Sequence, residues 1–455
     1  SGNTLTITDS LTLKSETFAD GGGTLELEGG TTVKRSGGTI GFAPTFLGSA
    51  SAVYTAGLTT GDELPTPVSS LRIDASGNTV TLAENVTVNT ALELDAGTLG
   101  RPGSEAVTLA DGSTLRVGTG TMDFTPTVEG GTAATVVYTT GGVTTGPELP
   151  SGAAGDVTLQ IDTGGIVTLS ANPTLGGDLT IQNGVLDDNG NTITVQGDAT
   201  VSAGARHYSV SGGQITFSGG SSTHVLAGSG QYETVELNES SDFSNAPEAE
   251  ITEGATIVTL TATQGVLRVG ASGTTVNGAT TVDSEAQLRG TLDIGTTATV
   301  NGTLTLQSGG DVTGIAPDYG DSATLRYETG TTTNRGLEWS STSGDGYPTD
   351  VTLANGTTLD LSAGGAGTAR SIAGALTIGG SSTLNMDDMS AALTVPGALT
   401  VDGTLALGSA TGGNAEAQGS TVQIGGTVTT NSGRLVLNGS SAQTLSGDGA
   451  AVSLR

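Results

Sequence analysis

The sequence contains no cysteine, so no disulfide bond can stabilise the fold, and cysteine usage gives no information on the redox compartment. It has two histidines, His207 and His224, which leaves almost no material for a Ser-His-Asp arrangement or a His-ligated metal. We expect both to be structural or surface residues. Aromatic residues are 3% of the chain, so the core cannot be built around large rings. No stretch approaches the roughly 18 apolar residues of a membrane-spanning helix, so we expect no membrane insertion.

Basic residues are scarce as well. The chain carries 14 Lys and Arg against 45 Asp and Glu, which gives a formal net charge of −31 at pH 7. An acidic surface repels nucleic acid and anionic membranes, so neither is expected as a partner. The same charge keeps a long glycine-rich β protein soluble.

The chain is rich in glycine and in small residues that favour strands. The 455 residues include 75 glycines, and Thr, Ser, Val, Leu and Ala supply much of the rest. Val, Ile and Thr favour strands, whereas Gly and Asn favour tight turns. No apolar periodicity is long enough to predict a helix. The composition therefore predicts an all-β protein with many short strands.

The stretch from Asp178 to Asp198, DLTIQNGVLDDNGNTITVQGD, indicates how these strands are arranged. It reads as strand, turn, strand, turn, strand, with the first turn at Gly184. Apolar residues occupy alternate positions within the strands: Leu179, Ile181, Val185, Ile193 and Val195. Similar stretches recur along the chain, and such short strands with so few turn residues indicate a parallel β-helix, or β-solenoid. We predict one continuous β-solenoid over residues 1–455, with about 20 coils stacked at about 4.8 Å.

A second pattern, with a period longer than one coil, occurs three times in the sequence. The motifs FAPTF, FTPTV and IAPDY each precede a strand with a tyrosine, and a glutamate follows that tyrosine after 9, 10 and 11 residues. The three pairs are Tyr54/Glu63, Tyr138/Glu148 and Tyr327/Glu338. Three occurrences with near-constant spacing indicate a shared unit. In the third copy Trp339, the only tryptophan, replaces a leucine.

Two interpretations of this unit are open. An exposed Trp339, with Tyr327 and Glu338, could contact a carbohydrate, because an aromatic ring can stack on the face of a sugar. Alternatively, each tyrosine covers the core and each glutamate satisfies loop amides. Recurrence at three levels of the solenoid favours the second, structural interpretation.

A second pattern marks further repeats. The segment GSSTHVLAGSG begins at Gly220, and GSSAQTLSGDG begins at Gly439. Together the two patterns divide the chain into five pseudo-repeats, roughly 1–75, 76–163, 164–240, 241–354 and 355–455. Their unequal lengths predict different numbers of coils in each repeat.

The two ends of the sequence match motifs that are joined inside it. The chain ends in AAVSLR and begins with SGNTLTI, and the internal segment PVSSLRIDASGNTVTL joins the same motifs in that order. We therefore expect the solenoid ends to stack head to tail in a filament, or to continue in a longer solenoid. An open strand edge is a template for strand addition, and non-closing contacts of this kind give filaments. The residues expected at this self-assembly interface are Ser1, Gly2, Asn3, Leu5, Ile7, Val452, Leu454 and Arg455.

The segment LTIQNGVLD, the GSSAQTLSGDG unit and the tyrosine–glutamate unit together resemble the very large repeat proteins of bacterial surfaces. These are the β-helical filamentous-haemagglutinin-like adhesins and similar secreted fibre proteins of the Bacteroidota type. The resemblance covers nearly the whole chain. It implies a right-handed parallel β-solenoid that is extracellular or on the cell surface and serves as a stalk, fibre or adhesive surface.

Groups suited to catalysis or metal binding are sparse. Paired carboxylates occur at Asp187-Asp188 and Asp387-Asp388, but both pairs lie in turn-like sequence without a nearby Lys or Arg, so solvated turn carboxylates are the simpler interpretation. Carboxylates in Gly-rich turns also suit calcium, and Asp187, Asp188 and Asn189 are where we would expect it. No EF-hand-type loop or calcium-binding nonapeptide repeat supports such a site. We expect no catalytic residues and no cofactor beyond this possible calcium.

The sequence as a whole predicts a non-enzymatic structural fibre or adhesin segment. Its expected partners are copies of itself and, secondarily, surface polysaccharide. The alternative is a carbohydrate-binding or polysaccharide-degrading β-helix, because this fold also hosts such proteins. A groove with two or more aspartates and an arginine would favour that alternative.

Overall fold

The protein is all-β. The computed structural model describes residues 2–19, 21–129, 131, 133–149, 157–220, 222–240, 248–363, 367–409, 412–430 and 432–447. Parallel strands recur about 21 residues apart and form a β-solenoid of about 20 turns. The predicted fold class and its number of coils are confirmed. Among the described residues the one helix is a three-residue 3-10 turn, and none could span a membrane.

The chain folds as two compact units, unit 1 (Ser1–Thr216) and unit 2 (Phe217–Arg455). Within each unit a strand typically pairs in parallel with the strand one turn before it and the strand one turn after it. The strands of unit 1, with the one at its boundary last, are β1 (Thr4–Ile7), β2 (Ser10–Leu13), β3 (Thr17–Phe18), β4 (Thr24–Leu27), β5 (Thr32–Arg35), β6 (Thr39–Ile40), β7 (Thr45–Phe46), β8 (Ser51–Tyr54), β9 (Leu58–Thr59), β10 (Val68–Thr81), β11 (Val86–Gly100), β12 (Val107–Leu109), β13 (Thr114–Val117), β14 (Thr121–Met122), β15 (Thr127–Val128), β16 (Ala134–Tyr138), β17 (Val143–Thr144), β18 (Val157–Thr168), β19 (Thr174–Leu175), β20 (Leu179–Asp187), β21 (Thr192–Val195), β22 (Ala199–Val201), β23 (Arg206–Tyr208) and β24 (Gln214–Phe217).

Unit 2 continues with shorter strands and contains the 3-10 helix Leu337–Trp339. Its strands are β25 (His224–Ala227), β26 (Gln231–Asn238), β27 (Ala249–Ile251), β28 (Thr256–Gln264), β29 (Val266–Val269), β30 (Thr274–Val276), β31 (Ala279–Val282), β32 (Glu285–Leu288), β33 (Thr291–Ile294), β34 (Thr297–Val300), β35 (Thr303–Gln307), β36 (Asp311–Gly314), β37 (Asp318–Tyr319), β38 (Thr324–Glu328), β39 (Thr332–Asn334), β40 (Asp350–Leu353), β41 (Thr358–Asp360), β42 (Arg370–Ser371), β43 (Leu376–Ile378), β44 (Thr383–Asn385), β45 (Leu393–Val395), β46 (Leu399–Val401), β47 (Thr404–Ala406), β48 (Ala415–Ala417), β49 (Thr421–Ile424), β50 (Thr427–Thr429), β51 (Leu435–Leu437) and β52 (Thr444–Gly447).

An aliphatic ladder fills the centre of unit 1. Inward side chains of β11, β13, β16, β18 and β20 stand in register one above another: Leu92, Leu115, Val136, Leu159 and Leu179. All five are buried. Burying one such side chain stabilises a fold by about 1.5–3 kcal/mol. The ladder therefore replaces the aromatic core that the composition excludes.

Unit 2 repeats the arrangement with different residues. Leu353, Ile378, Val401 and Ile424 stand in register on β40, β43, β46 and β49. All four are buried. Because side chains alternate between the two faces of a strand, the residues next to these on each strand point outward.

One predicted turn is wrong. Gly184, expected to end a strand, lies inside β20 with a φ of +83° and bends the strand without breaking it. A Cβ at this position would lie 2.2 Å from the carbonyl oxygen of Thr163 in the neighbouring turn, so only glycine fits. The bend shifts the alternation of side chains. Leu186 is buried, whereas Val185, which the sequence places inward, is partly exposed.

Candidate functional site

The first three strands of unit 1 are paired on one side only, among the strands that the structure describes. β1 pairs with β4, β2 with β5 and β3 with β6, all in parallel. We call the other side of β1, β2 and β3 the first-turn edge. Open backbone donors and acceptors along a strand are a template for pairing with a further strand.

The motif of β1 also occurs on β10, which has a neighbouring turn on both sides. β10 contains SGNTVT where the chain begins with SGNTLT. Val80 of β10 pairs with Leu58 on one side and with Leu99 on the other, and it is fully buried. Leu5, at the matching position of β1, pairs with Leu25 and is 48% exposed. The apolar residue of the motif is thus buried on β10, where described strands lie on both sides, and exposed on β1, where a described strand lies on one side only.

A cavity of about 450 Å³ opens at the first-turn edge. Its apolar lining includes Leu5, Phe18, Leu25 and Phe42. The rings of Phe18 and Phe42 lie 5.9 Å apart and are tilted by 34°. Neither phenylalanine was predicted from the sequence, although Phe42 opens the FAPTF motif and Phe124, which opens the FTPTV copy, is buried. The recurring motif was the signal that could have identified them.

Half of the predicted assembly residues lie on this edge. Gly2 and Asn3 line the cavity together with Leu5, and Ile7 lies at the end of β1. The other four lie outside the described residues: Ser1, Val452, Leu454 and Arg455. That the two ends join each other stays a prediction.

The last strands described in unit 2 present a similar apolar edge. β50, β51 and β52 pair with β47, β48 and β49, one turn earlier. Leu437 of β51 is 39% exposed, although its predecessor in register, Ala417, is buried. Leu437 is thus an exposed apolar residue of the last turn that the structure describes.

A hydrogen bond joins each predicted tyrosine–glutamate pair. The hydroxyl-to-Oε1 distances are 3.1 Å for Tyr54/Glu63, 2.9 Å for Tyr138/Glu148 and 2.7 Å for Tyr327/Glu338. In every copy the same oxygen also accepts the amide N–H of the glycine two residues earlier, at 3.0, 2.7 and 2.6 Å. All six side chains are buried. The structural interpretation is confirmed, because the tyrosine covers the core and the glutamate satisfies a loop amide.

The predicted carbohydrate contact at Trp339, Tyr327 and Glu338 is wrong. The ring of Trp339 is fully buried, and its Nε1 donates to the carbonyl oxygen of Ser371 at 2.9 Å. Stacking on a sugar needs an exposed ring face, which neither aromatic side chain offers. Trp339 takes the position of Leu149 in the second copy, which is also buried.

The three buried glutamates differ in their counter-charge. Oε1 of Glu63 lies 2.5 Å from Nη1 of Arg35, in a buried ion pair. Oε2 of Glu148 and Oε2 of Glu338 have no hydrogen-bond partner among the described residues. Burial raises the pKa of Glu338, and burial together with the adjacent carboxylate raises the pKa of Tyr327 well above its ordinary value of 10.0. This pair therefore favours uncharged groups.

The expected calcium ligands Asp187, Asp188 and Asn189 take part in hydrogen bonds that hold their turn. Asp188 is buried, its Oδ1 accepts the amide N–H of Gly190 at 2.8 Å, and its Oδ2 lies 2.9 Å from Nε2 of His207. Asp187 is the adjacent residue, is partly exposed and accepts the amide N–H of Asn189 at 3.0 Å. In the described part of the chain, no group of three or more His, Cys, Asp or Glu could hold a metal ion.

The remaining groups with catalytic potential also serve the fold or face solvent. His207 and His224 are both buried, and Nε2 of His224 lies 3.6 Å from Oε2 of Glu239. Asp387 and Asp388 are exposed residues of a turn, as predicted. The structure does not assemble a nucleophile, a base and an oxyanion site from these residues.

Comparison with known proteins adds no relative. No protein-family model, no curated protein and no solved structure matches the chain. Its function is therefore inferred from the geometry of its own residues.

Proposed function

We propose that this chain is a non-enzymatic structural solenoid of the cell exterior, a fibre or adhesin segment that adds further β-solenoid turns at its first-turn edge. One observation carries the proposal: the SGNT motif of the first turn recurs on β10, where strands pair on both sides of it and Val80 is fully buried. Covering apolar surface is favourable by about 25 cal/mol per Å². The backbone N–H and C=O groups on the unpaired side of β1, β2 and β3 need partners, so an added turn should pair with these strands.

The occupant we propose is a terminal turn of a second copy. Inside the chain, β10 joins the VSSLR and SGNTVT motifs on one strand, and Leu71 of the first motif stacks between Ala52 and Leu92. A turn that ends in VSLR is therefore a fitting neighbour for a turn that begins with SGNT. The net charge of −31 opposes side-by-side association of copies and so favours contact through the ends.

The use of the buried acidic groups supports a structural function rather than catalysis. Glu63, Glu148 and Glu338 each accept a tyrosine hydroxyl and a backbone amide. Asp188 accepts a backbone amide and contacts a buried histidine. Carboxylates held in this way stabilise turns and are not presented to a substrate.

Sedimentation velocity over a range of concentrations, with electron microscopy of the same samples, tests the proposal on the full chain. We expect the wild type to form end-to-end assemblies whose size grows with concentration. Leu5→Asp should weaken this association by about tenfold or more, because it places a charge where apolar surface must be covered. The fold should tolerate the change, since Leu5 is 48% exposed and its strand pairs with one described neighbour, β4.

Ile166→Asp is the matched control, because Ile166 is 47% exposed and lies on β18, inside unit 1. It should assemble like the wild type. A wild type that stays monomeric at all concentrations would contradict head-to-tail assembly, and so would equal losses in the two variants.

A further inference from the structure

A second cavity, of about 540 Å³, lies in unit 2 beside the 3-10 helix. Arg335 and Arg370 line it, together with Asp311, Ser340 and Thr368. We call it the arginine cavity. The whole chain has 14 basic residues and a net charge of −31, so two arginines at one cavity reverse the prevailing sign of charge locally.

Arg370 is buried without a counter-charge. It is 2% exposed, its Nη1 donates to the carbonyl oxygen of Ala369 at 3.0 Å, and its Nε has no hydrogen-bond partner among the described residues. None of the ion pairs in the described part of the chain includes it. A buried guanidinium loses its hydration, and that cost is offset only when an anion or acceptors replace the water.

Arg335 is held at the same cavity by backbone carbonyls. Its Nε donates to the carbonyl oxygen of Leu361 at 3.2 Å, and its Nη1 to that of Trp339 at 3.3 Å. Burial, and then the charge of Arg335, lower the pKa of Arg370 to about 10, so Arg370 stays charged at neutral pH. Two like charges that are close and partly desolvated repel each other, and an anion between them would turn this repulsion into attraction.

No ion pair in the described part of the chain joins a carboxylate to Arg335 or Arg370. Burial lowers the pKa of Arg335, and the nearby carboxylates of Glu338 and Asp360 oppose that shift. A Cβ on Gly336 would lie 2.5 Å from Oε2 of Glu338 and 2.8 Å from Oδ1 of Asp311, so these two groups flank the same glycine. Oδ1 of Asp311 accepts the amide N–H of Val312 at 2.9 Å, and burial favours the uncharged form of Glu338 by raising its pKa. The cavity therefore has one lining aspartate and two arginines, which suits anion binding better than a pair of catalytic carboxylates.

We propose that the arginine cavity binds an oxyanion, a carboxylate or sulfate group, through the guanidinium groups of Arg370 and Arg335. Guanidinium is the side-chain group best matched to such ligands, because its N–H donors pair with two oxygens at once. The hydroxyl group of Thr368 at the wall can donate to a further oxygen. A volume of about 540 Å³ admits a free inorganic anion or the same group on a sugar ring.

Isothermal titration calorimetry of the full chain tests this with three probes: sulfate, galacturonate and neutral galactose, at constant ionic strength. We expect saturable binding of both anions and none of galactose. Equal affinity for the anions would assign the site to the oxyanion alone, whereas tighter binding of galacturonate would assign an acidic sugar as its source. No saturable binding of either anion, or galactose binding as well as galacturonate, would overturn the proposal.

Two variants test the residues. Arg370→Gln should weaken anion binding by about tenfold or more, since a charged hydrogen bond is lost. Because this substitution lies in a buried position, Thr368→Glu is the second variant: Thr368 is exposed at the cavity, and the new carboxylate should repel the ligand by a similar factor. Thr297→Glu adds the same charge at an exposed strand position away from the cavity and should bind like the wild type. Wild-type affinity in Thr368→Glu would overturn the proposal.

Discussion

The hydroxyl of Tyr327 donates a 2.7 Å hydrogen bond to Oε1 of Glu338, 11 residues later in the chain. The same oxygen accepts the amide N–H of Gly336, so one carboxylate ties a loop both to the core and to itself. Pairs with the same geometry occur at Tyr54/Glu63 and Tyr138/Glu148. The long repeat in the sequence is therefore a repeated way of anchoring a loop that leaves the regular coil.

Tyr327→Phe should lower the free energy of unfolding by about 1–3 kcal/mol, because it leaves a buried carboxylate with one donor fewer. Urea unfolding followed by circular dichroism measures the loss. Tyr208→Phe is the control, since Tyr208 is partly exposed and its ring lies under the guanidinium of Arg206. Equal effects of the two substitutions would contradict the anchoring role of the Tyr327 hydroxyl.

Glu338→Gln should make the unfolding free energy less dependent on pH. Burial raises the pKa of Glu338 above its ordinary value of 4.5, so the folded protein keeps this proton where the unfolded chain has lost it. The stability that this group contributes is full below pH 4.5 and is lost as the pH rises through the raised pKa. The free energy of unfolding of the variant should therefore increase relative to that of the wild type as the pH rises from 4.5 towards neutral. Unfolding at several pH values in that range measures the difference, and a constant difference would refute the assignment.

Asp188→Ala should lower the free energy of unfolding by about 1–3 kcal/mol, because it removes the buried carboxylate that contacts His207 and accepts the amide N–H of Gly190. Asp187→Ala, one residue earlier, should lower the free energy of unfolding by about 1 kcal/mol, since it removes one hydrogen bond at a partly exposed position. Thermal unfolding with calcium and with a chelator compares the two. If calcium raised the stability of the wild type and of neither variant, the two aspartates would be metal ligands, and their hydrogen bonds would not explain the losses.

The fold was predictable because its information is local and repeated. Alternating apolar residues and turn residues recur about every 21 residues, and stacking identical units has few alternatives. The turn predicted at Gly184 is wrong because a glycine with positive φ can bend a strand as readily as it can form a turn. Pairing with the neighbouring strands, which the local sequence does not reveal, determines which of the two forms. The inward position predicted for Val185 is wrong for the same reason.

The candidate sites were less predictable because they depend on contacts between turns. The spacing of Tyr327 and Glu338 indicated their partnership, but nothing local indicates that Trp339 packs inward against Ser371 of the following turn. The 3-10 helix and two strands, β40 and β41, lie between Arg335 and Arg370 in the sequence, yet both arginines line one cavity. The sequence pattern of a single turn therefore cannot predict that these two arginines lie at the same cavity.

Turn length also determines which changes in sequence length the fold can absorb. In unit 1 the strand partners Thr98 and Thr121 are 23 residues apart, whereas Leu179 and Ala199 are 20 apart, so the corners accommodate different lengths. One residue gained inside a strand would turn its aliphatic side chains from the core to the solvent. A whole turn gained or lost would leave every remaining neighbour in register. Lineages of this protein are therefore expected to differ in length by complete turns, as duplication between repeats would produce, and seldom by single residues within strands.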